Sequence, residues 1–178
     1  MEGYTHVRCL FCETGKEKRV VEAIQEMRWG HAIFAQRVKV VWRGQKWVED
    51  TTPLLPGYVF VYQNQEDESY RNYMSVSHVI RVLTYGEGHD KLSGRDLEFA
   101  NWLWRVGGKI GVMQAVQEGD HVEIIDGVFK ELHGQVVRMN RRRRKVCVSL
   151  DTQGIPMQIW LSYELMEKKE EECEIDGH

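Results

Sequence analysis

The chain has 178 residues, of which 42% are hydrophobic and 29% charged, and its formal net charge is −3. This balance is typical of soluble globular protein, and no apolar run of about 18 residues is present, so we expect no membrane partner. The N-terminal MEGYTHVRC has neither the basic nor the apolar region of a secretory signal, which predicts a cytoplasmic protein.

Two of the four cysteines, Cys9 and Cys12, form a C-x-x-C motif. A structural zinc site needs a second ligand pair at similar spacing, and the seven histidines are scattered. We therefore interpret both cysteines as strand residues, one facing in and one out. We expect no metal and no cofactor, and a redox or zinc function remains the alternative.

The first elements are a strand and a helix. Val7–Cys12 is an apolar strand candidate, and Thr14 with Glu17 forms a capping box that predicts a helix over 15–29. Apolar residues recur at helical spacing within this range: Val20, Ile24 and Met27.

A hairpin and a strong strand follow. The β-rich runs at 38–42 and 47–49 flank a glycine-containing loop, so Trp42 and Trp47 are predicted to pair across the hairpin. Pro56-Gly57 predicts a sharp turn before a strand over 58–62. Three further elements are predicted, namely a short helix near 69–74, a strand at 79–83 and a helix after a second capping box, Ser93 with Asp96.

Glycines divide the chain after the second helix. Gly107, Gly108 and Gly111 predict a flexible linker at 106–116, because glycine-rich segments cost most to order. Only short strands separated by turns follow, which is typical of a small β-barrel. We expect an α+β domain over 1–105, the linker over 106–116, an all-β domain over 117–168 and an acidic disordered tail over 169–178.

Three segments in this order resemble the NusG/Spt5 family of transcription elongation factors. LFCETGKE (10–17) resembles the family's first strand and helix start, PLLPGYVFV (53–61) its core segment, and EGDHVEIIDGVFKELHGQVV (118–137) its KOW module. The resemblance implies an NGN-like N-terminal domain joined by a flexible linker to a five-stranded SH3-like barrel. One departure is Val7-Arg8, where the family usually has Trp-Tyr.

The family resemblance implies a monomer with no enzymatic activity, whose N-terminal domain binds RNA polymerase at the β′ clamp helices. A strand reading YVFV also fits a core, so that alternative stays open. The positions that match the polymerase-binding patch are Phe11, Leu55, Pro56, Tyr58, Phe60 and Phe99. Those that match a contact to the polymerase gate loop or nontemplate DNA are Arg71, Asn72, Tyr73 and Ser75.

A run of five cations, Arg141–Lys145, lies between two predicted barrel strands. Burial does not explain arginines on a hairpin tip, whereas their planar forks suit phosphates and bases. We predict that these residues bind nascent RNA, with Arg138 and Lys130 extending the patch, although a merely solvated loop is the alternative.

The basic loop resembles the specialised antitermination branch of the family, typified by RfaH and LoaP. A transcription elongation and antitermination function with an RNA-binding barrel is therefore predicted. The alternative is a general elongation factor whose barrel recruits a ribosomal protein or a termination factor through Phe129. The sequence contains no glycine-rich phosphate loop and no nucleophile elbow, so we expect no enzyme.

Overall fold

The computed structural model describes residues 3–64, 72–119, 121–125, 135–150, 152, 154 and 158–166. Its N-terminal part is a four-stranded antiparallel sheet with the order β2-β5-β1-β6. The strands are β1 (His6–Cys12), β2 (His31–Ile33), β5 (Tyr58–Gln63) and β6 (Val79–Val82). One helix covers each face, α1 (Glu17–Glu26) and α2 (Gly94–Arg105).

The central strand β5 is buried on both faces because a helix packs on each side. Val59 and Val61 lie in one core cluster with Val20 and Ile24 of α1. Phe60 and Tyr62 face the opposite way and lie in the cluster that contains α2. The Tyr62 hydroxyl also donates to the Ala100 carbonyl over 2.7 Å, which ties β5 to α2.

A second sheet extends from this domain as a hairpin, with the order β4-β3-β7. Its strands are β3 (Gln36–Arg43), β4 (Lys46–Pro53) and β7 (Lys109–Ile110). Trp42 pairs with Trp47 in the register, as the sequence predicts. Gly44 and Gln45 both have positive φ, +55° and +66°, which is the backbone that a two-residue hairpin turn requires.

The C-terminal part is a five-stranded sheet with the order β10-β11-β12-β8-β9. Its strands are β8 (Met113–Glu118), β9 (His121–Ile124), β10 (Gln135–Asn140), β11 (Lys145–Ser149) and β12 (Gln158–Leu165). Val146, Val148, Ile159, Leu161 and Tyr163 are buried in its interior. The predicted fold class, an α+β domain followed by a β-rich domain, is confirmed.

The range predicted to be a linker, 106–116, has regular structure in this chain. Gly107 and Gly108 end α2 with φ of +64° and +74°, and their N–H groups donate to the carbonyls of Trp104 and Leu103. The chain then forms β7 and the first part of β8. The glycines therefore cap a helix and turn the chain, and pairing with β3 and β12 orders the residues that follow.

Neither predicted capping box forms as a cap within the described chain. Helix α1 begins at Glu17 with Lys16 as its N-cap, and neither Lys16 nor Ser93 makes a side-chain cap bond in the described residues. Instead, the buried Glu17 carboxylate accepts from the Gly57 N–H over 2.7 Å. Asp96, fully buried, accepts from the Tyr85 hydroxyl and from the Gly154 N–H over 2.5 and 2.9 Å.

Polar contacts between described residues join the domains. The Gly154 N–H of the β-rich domain donates to Asp96, and Arg37 Nη2 on β3 donates to the Trp160 carbonyl on β12. One cluster of buried apolar side chains also contains residues of both domains. The two domains are therefore in contact in this conformation.

The first prediction concerns the Glu17 carboxylate. Glu17→Ala leaves the buried Gly57 N–H without its acceptor, so we expect a loss of about 1–3 kcal/mol in the free energy of unfolding, measured with urea. Glu22→Ala, which removes an exposed carboxylate from the same helix, serves as the control and is expected to change it by less than about 0.5 kcal/mol. Equal losses in the two variants would contradict this assignment.

An aromatic row and an arginine turn as candidate binding sites

A row of three side chains crosses the open end of the N-terminal sheet, and we call it the aromatic row: Tyr58, Phe11 and Arg81. The register pairs Phe11 with Tyr58 on β5 and with Arg81 on β6. The two rings meet edge to face at 5.1 Å, and the Arg81 guanidinium lies 5.4 Å from the Phe11 ring centre. Both rings are half-buried and Arg81 is exposed, so the row offers aromatic edges beside a cation.

The turn before β5 sets the position of the aromatic row. Gly57 has φ of +85°, and a Cβ there would lie 2.9 Å from both the Cys12 carbonyl oxygen and the Phe11 ring. The Gly57 carbonyl accepts from the Cys12 N–H over 2.7 Å. Only glycine allows this close approach of the turn to β1.

Three residues predicted for the same patch belong to the interior, which corrects the prediction for them. Phe60 and Phe99 are fully buried and their ring centres are 5.7 Å apart, because α2 covers that face of β5. Leu55 is also buried. Pro56 remains exposed beside Tyr58.

The segment predicted to contact the gate loop or DNA has two exposed members, Asn72 and Ser75. The Ser75 hydroxyl donates to the Asn72 carbonyl within a short 3-10 helix, Tyr73–Ser75. Tyr73 is buried, with its ring 5.6 Å from that of Trp29, which corrects the prediction for this residue. Arg71 lies outside the described residues.

The cations between β10 and β11 form a tight turn, Arg141–Arg144, which we call the arginine turn. The Asn140 side-chain oxygen accepts from the Arg143 N–H, and the Arg141 carbonyl accepts from the Arg144 N–H, over 3.0 and 3.1 Å. The Arg144 carbonyl accepts from the Tyr163 N–H on β12, which anchors the turn to the barrel. The backbone is therefore held in place while all four side chains are exposed.

No acidic side chain in the described part of the chain forms an ion pair with the arginine turn. Arg138 is exposed on β10 and Lys145 is half-buried at the start of β11, so both extend the positive surface. Lys130 and Phe129 lie outside the described residues.

The two N-terminal cysteines are buried on opposite faces of β1, Cys9 in one core cluster and Cys12 in the other. The sequence pattern predicts that one of them faces outward. That prediction is wrong, because α1 also covers that face of β1. Burial raises the pKa of the Cys9 thiol, and burial with the nearby Glu17 and Glu13 charges raises the pKa of Cys12 to about 11. No group of metal-ligating side chains occurs among the described residues.

The family of the protein is identified from the N-terminal half of the chain. Residues 7–99 match the family model described as transcription termination factor NusG. The chain belongs to the NusG family. This range includes the whole aromatic row and ends before the arginine turn.

Two relatives and one solved structure extend the comparison. The chain is 29% identical to the transcription elongation factor Spt5 of Sulfolobus acidocaldarius over 87 residues, 49% of this chain and 57% of that protein. It is 23% identical to the transcription termination/antitermination protein NusG of Buchnera aphidicola over 87% of this chain and 91% of that protein. A structure titled "Domain interaction in Thermotoga maritima NusG" aligns with a TM-score of 0.50 at 20% identity, covering 88% of this chain and 93% of that one.

The family model and both relatives carry names of transcription elongation or termination factors, so the chain's family is one of transcription elongation and termination factors. The solved structure shows the shared fold. No helix in the described residues is long and apolar enough to cross a membrane.

Arg81 is a site residue that local sequence patterns do not indicate. It lies more than 20 positions from Tyr58 in the sequence, and only the order β5-β1-β6 places both beside Phe11. Arg81 by itself does not indicate a binding site, because an isolated exposed arginine on a strand is ordinary.

The second prediction concerns thiol reactivity. With a pKa of about 11, Cys12 is about one-thousandth thiolate at pH 8, and Cys9 less. In a chain carrying Cys173→Ser, we therefore expect iodoacetamide to label Cys9 and Cys12 far more slowly in the folded protein than in urea, as measured by mass spectrometry. Rapid labelling of Cys12 in the folded chain would contradict this and revive a redox function.

Proposed function

We propose that this protein is a transcription elongation and antitermination factor that binds RNA polymerase through its N-terminal domain and nascent RNA through its β-rich domain. The observation that carries the proposal is the arginine turn, four exposed arginines on an anchored backbone with no ion pair in the described residues. Family membership supplies the transcriptional setting.

The arginine turn suits RNA for two reasons. Its like charges repel one another in the free protein, and its backbone is already ordered before binding. Four like charges on a tight turn repel one another, and a polyanion relieves that repulsion. Each guanidinium can bind a phosphate oxygen pair or stack on a base. If four arginines each meet one phosphate of a single strand, log K falls against log salt with a slope of about −3.

The aromatic row suits a protein partner. Half-buried aromatic rings with a neighbouring arginine are the side chains that carry most binding energy in protein interfaces. Phe11, Pro56 and Tyr58 are therefore the proposed contacts to the polymerase β′ clamp helices, with Arg81 beside them. Asn72 and Ser75, exposed on the same domain, remain the proposed contacts to the gate loop or nontemplate DNA.

The third prediction tests the arginine turn. Arg142→Gln/Arg143→Gln removes two phosphate contacts. For hairpin RNAs selected on the full chain, the slope of log K against log salt should therefore become shallower, from about −3 to about −1.4. The control Arg19→Gln/Arg28→Gln removes the same charge from exposed positions near α1 and should leave the slope unchanged. The measurement is fluorescence anisotropy across a salt series.

Equal effects of the two double variants would show that only net charge matters. Failure of the native chain to enrich any hairpin would reject the RNA function and favour recruitment of a ribosomal or termination protein by this domain.

The fourth prediction tests the aromatic row. Tyr58→Ala removes one ring of the edge-to-face pair, and we expect at least about tenfold weaker binding to the cognate core RNA polymerase by biolayer interferometry. Met27→Ala truncates an exposed apolar side chain just beyond α1 and should bind as the native chain does. Unchanged binding by Tyr58→Ala would remove the row from the polymerase interface.

A further inference from the structure

The outer face of the barrel strands β10, β11 and β12 carries an ordered set of side chains next to the arginine turn. The register places Arg138, Cys147 and Trp160 in one row across the three strands. The flanking rows are polar: Asn140, Lys145 and Ser162 on one side, and Gln135, Ser149 and Gln158 on the other. Paired residues in antiparallel strands share a face, so these nine side chains form one surface.

This surface points away from the barrel interior. Val146 and Val148 alternate with its members along β11, pair with Leu161 and Ile159, and are buried inside the barrel. Lys145, Cys147 and Ser149 therefore lie on the opposite, outer side.

Trp160 is the one aromatic residue of the nine, and it is 38% exposed. Cys147 beside it is only 2% exposed, so the thiol is covered while the indole still meets solvent. A large aromatic ring surrounded by hydroxyl, amide and cationic groups is not explained by core packing. It is, however, the arrangement of a base-stacking platform, on which an aromatic ring receives a nucleobase and cations track the backbone.

The backbone that carries the platform is held in place before any ligand binds. Trp160 pairs with Cys147 in the centre of the β11–β12 ladder, and its carbonyl accepts from Arg37 Nη2 of the N-terminal domain. A rigid ring loses little conformational entropy when a base stacks on it.

The arginine turn lies within one nucleotide's reach of this ring. Trp160 is level with Cys147, two residues along β11 from Lys145, where the turn ends. At about 3.3 Å per strand residue, this separation is about 7 Å. A single RNA strand can therefore place phosphates at the turn and an adjacent base over the indole.

We infer that Trp160 is a stacking site for an unpaired base of RNA and that the outer face of β10–β11–β12 continues the binding surface of the arginine turn. This inference rests on the proposed RNA-binding function and specifies its ligand as a segment with unpaired bases, such as a hairpin loop. The hydroxyls of Ser149 and Ser162 and the amides of Gln135 and Gln158 supply donors and acceptors around the stacked base. In a fully paired duplex the base faces are stacked on neighbouring bases, so they cannot stack on Trp160.

The fifth prediction separates stacking from charge. The full chain is titrated at fixed salt with a 12-nucleotide oligoadenylate and with an abasic ribose-phosphate 12-mer, probes of equal length and charge. We expect the native chain to bind the oligoadenylate about tenfold more tightly, and Trp160→Leu to lose that preference while its affinity for the abasic strand stays unchanged. Trp160→Phe should keep only part of the preference, because it retains an aromatic ring but a smaller one.

Trp42→Ala is the matched control, since Trp42 is 58% exposed on the β3–β4 hairpin, outside the platform. It should retain the full preference for oligoadenylate. Thermal unfolding of every variant checks its fold. If Trp160→Leu is unfolded, Trp160→Phe tests the inference instead, and its preference for oligoadenylate should be smaller than that of the native chain.

Three results would overturn the inference. They are equal affinity of the native chain for both probes, an unchanged preference in the folded Trp160 variants, or an equal loss of affinity for both probes in Trp160→Leu. In each case binding that still depends on Arg142 and Arg143 would leave the proposed RNA function intact. Binding of neither probe by the native chain would also overturn the inference, and the hairpin selection of the third prediction then decides whether the proposed RNA function stands.

Discussion

Burial of the β1–β5 strand pair on both faces is the constraint on which the N-terminal domain depends. Helix α1 covers Leu10, Cys12, Val59 and Val61, while α2 covers the side chains that alternate with them. The aromatic row exists because Phe11 and Tyr58 lie where this cover ends, at the Pro56-Gly57 turn. The same double cover makes Phe60 and Phe99 interior residues, although their neighbours in the sequence reach the surface.

Two buried carboxylates connect the helices of the N-terminal domain to a turn and to the β-rich domain. Glu17 binds the turn that positions Tyr58, and Asp96 binds both Tyr85 and the Gly154 N–H of the other domain. Burial of a carboxylate is costly unless hydrogen bonds compensate, so these contacts specify where the turn and the neighbouring domain lie. Burial, together with the hydrogen bond to Asp96, also raises the pKa of the Tyr85 hydroxyl, which stays protonated as the donor.

The β-rich domain separates its charge from its core. Alternation along β11 places Val146 and Val148 inside and directs Lys145 and Ser149 outward, and four exposed arginines occupy the turn. The proposed RNA surface can therefore be altered at the turn or at Trp160 without changing the barrel interior. The proposed polymerase surface lies on the other domain, so the two functions can be tested separately.

Local sequence signals were enough to predict many of the elements, because periodicity, turn residues and β-rich runs act over a few residues. It predicted the strand over 58–62 within one residue of β5, the Trp42–Trp47 pairing and the exposed turn of arginines. Its three family-like segments also identified the family that the comparison shows for residues 7–99.

Which side chains are available for binding depends on long-range packing. Alternation in YVFV says that Tyr58 and Phe60 share a face, but α2 covers one and leaves the other half-exposed. The capping-box pattern at Glu17 and Asp96 is local, yet both carboxylates bind residues about 40 and 58 positions away, where burial strengthens the bond. Arg81 beside Phe11, and Trp160 in line with Arg138, likewise follow from strand order and register, which long-range burial and pairing decide.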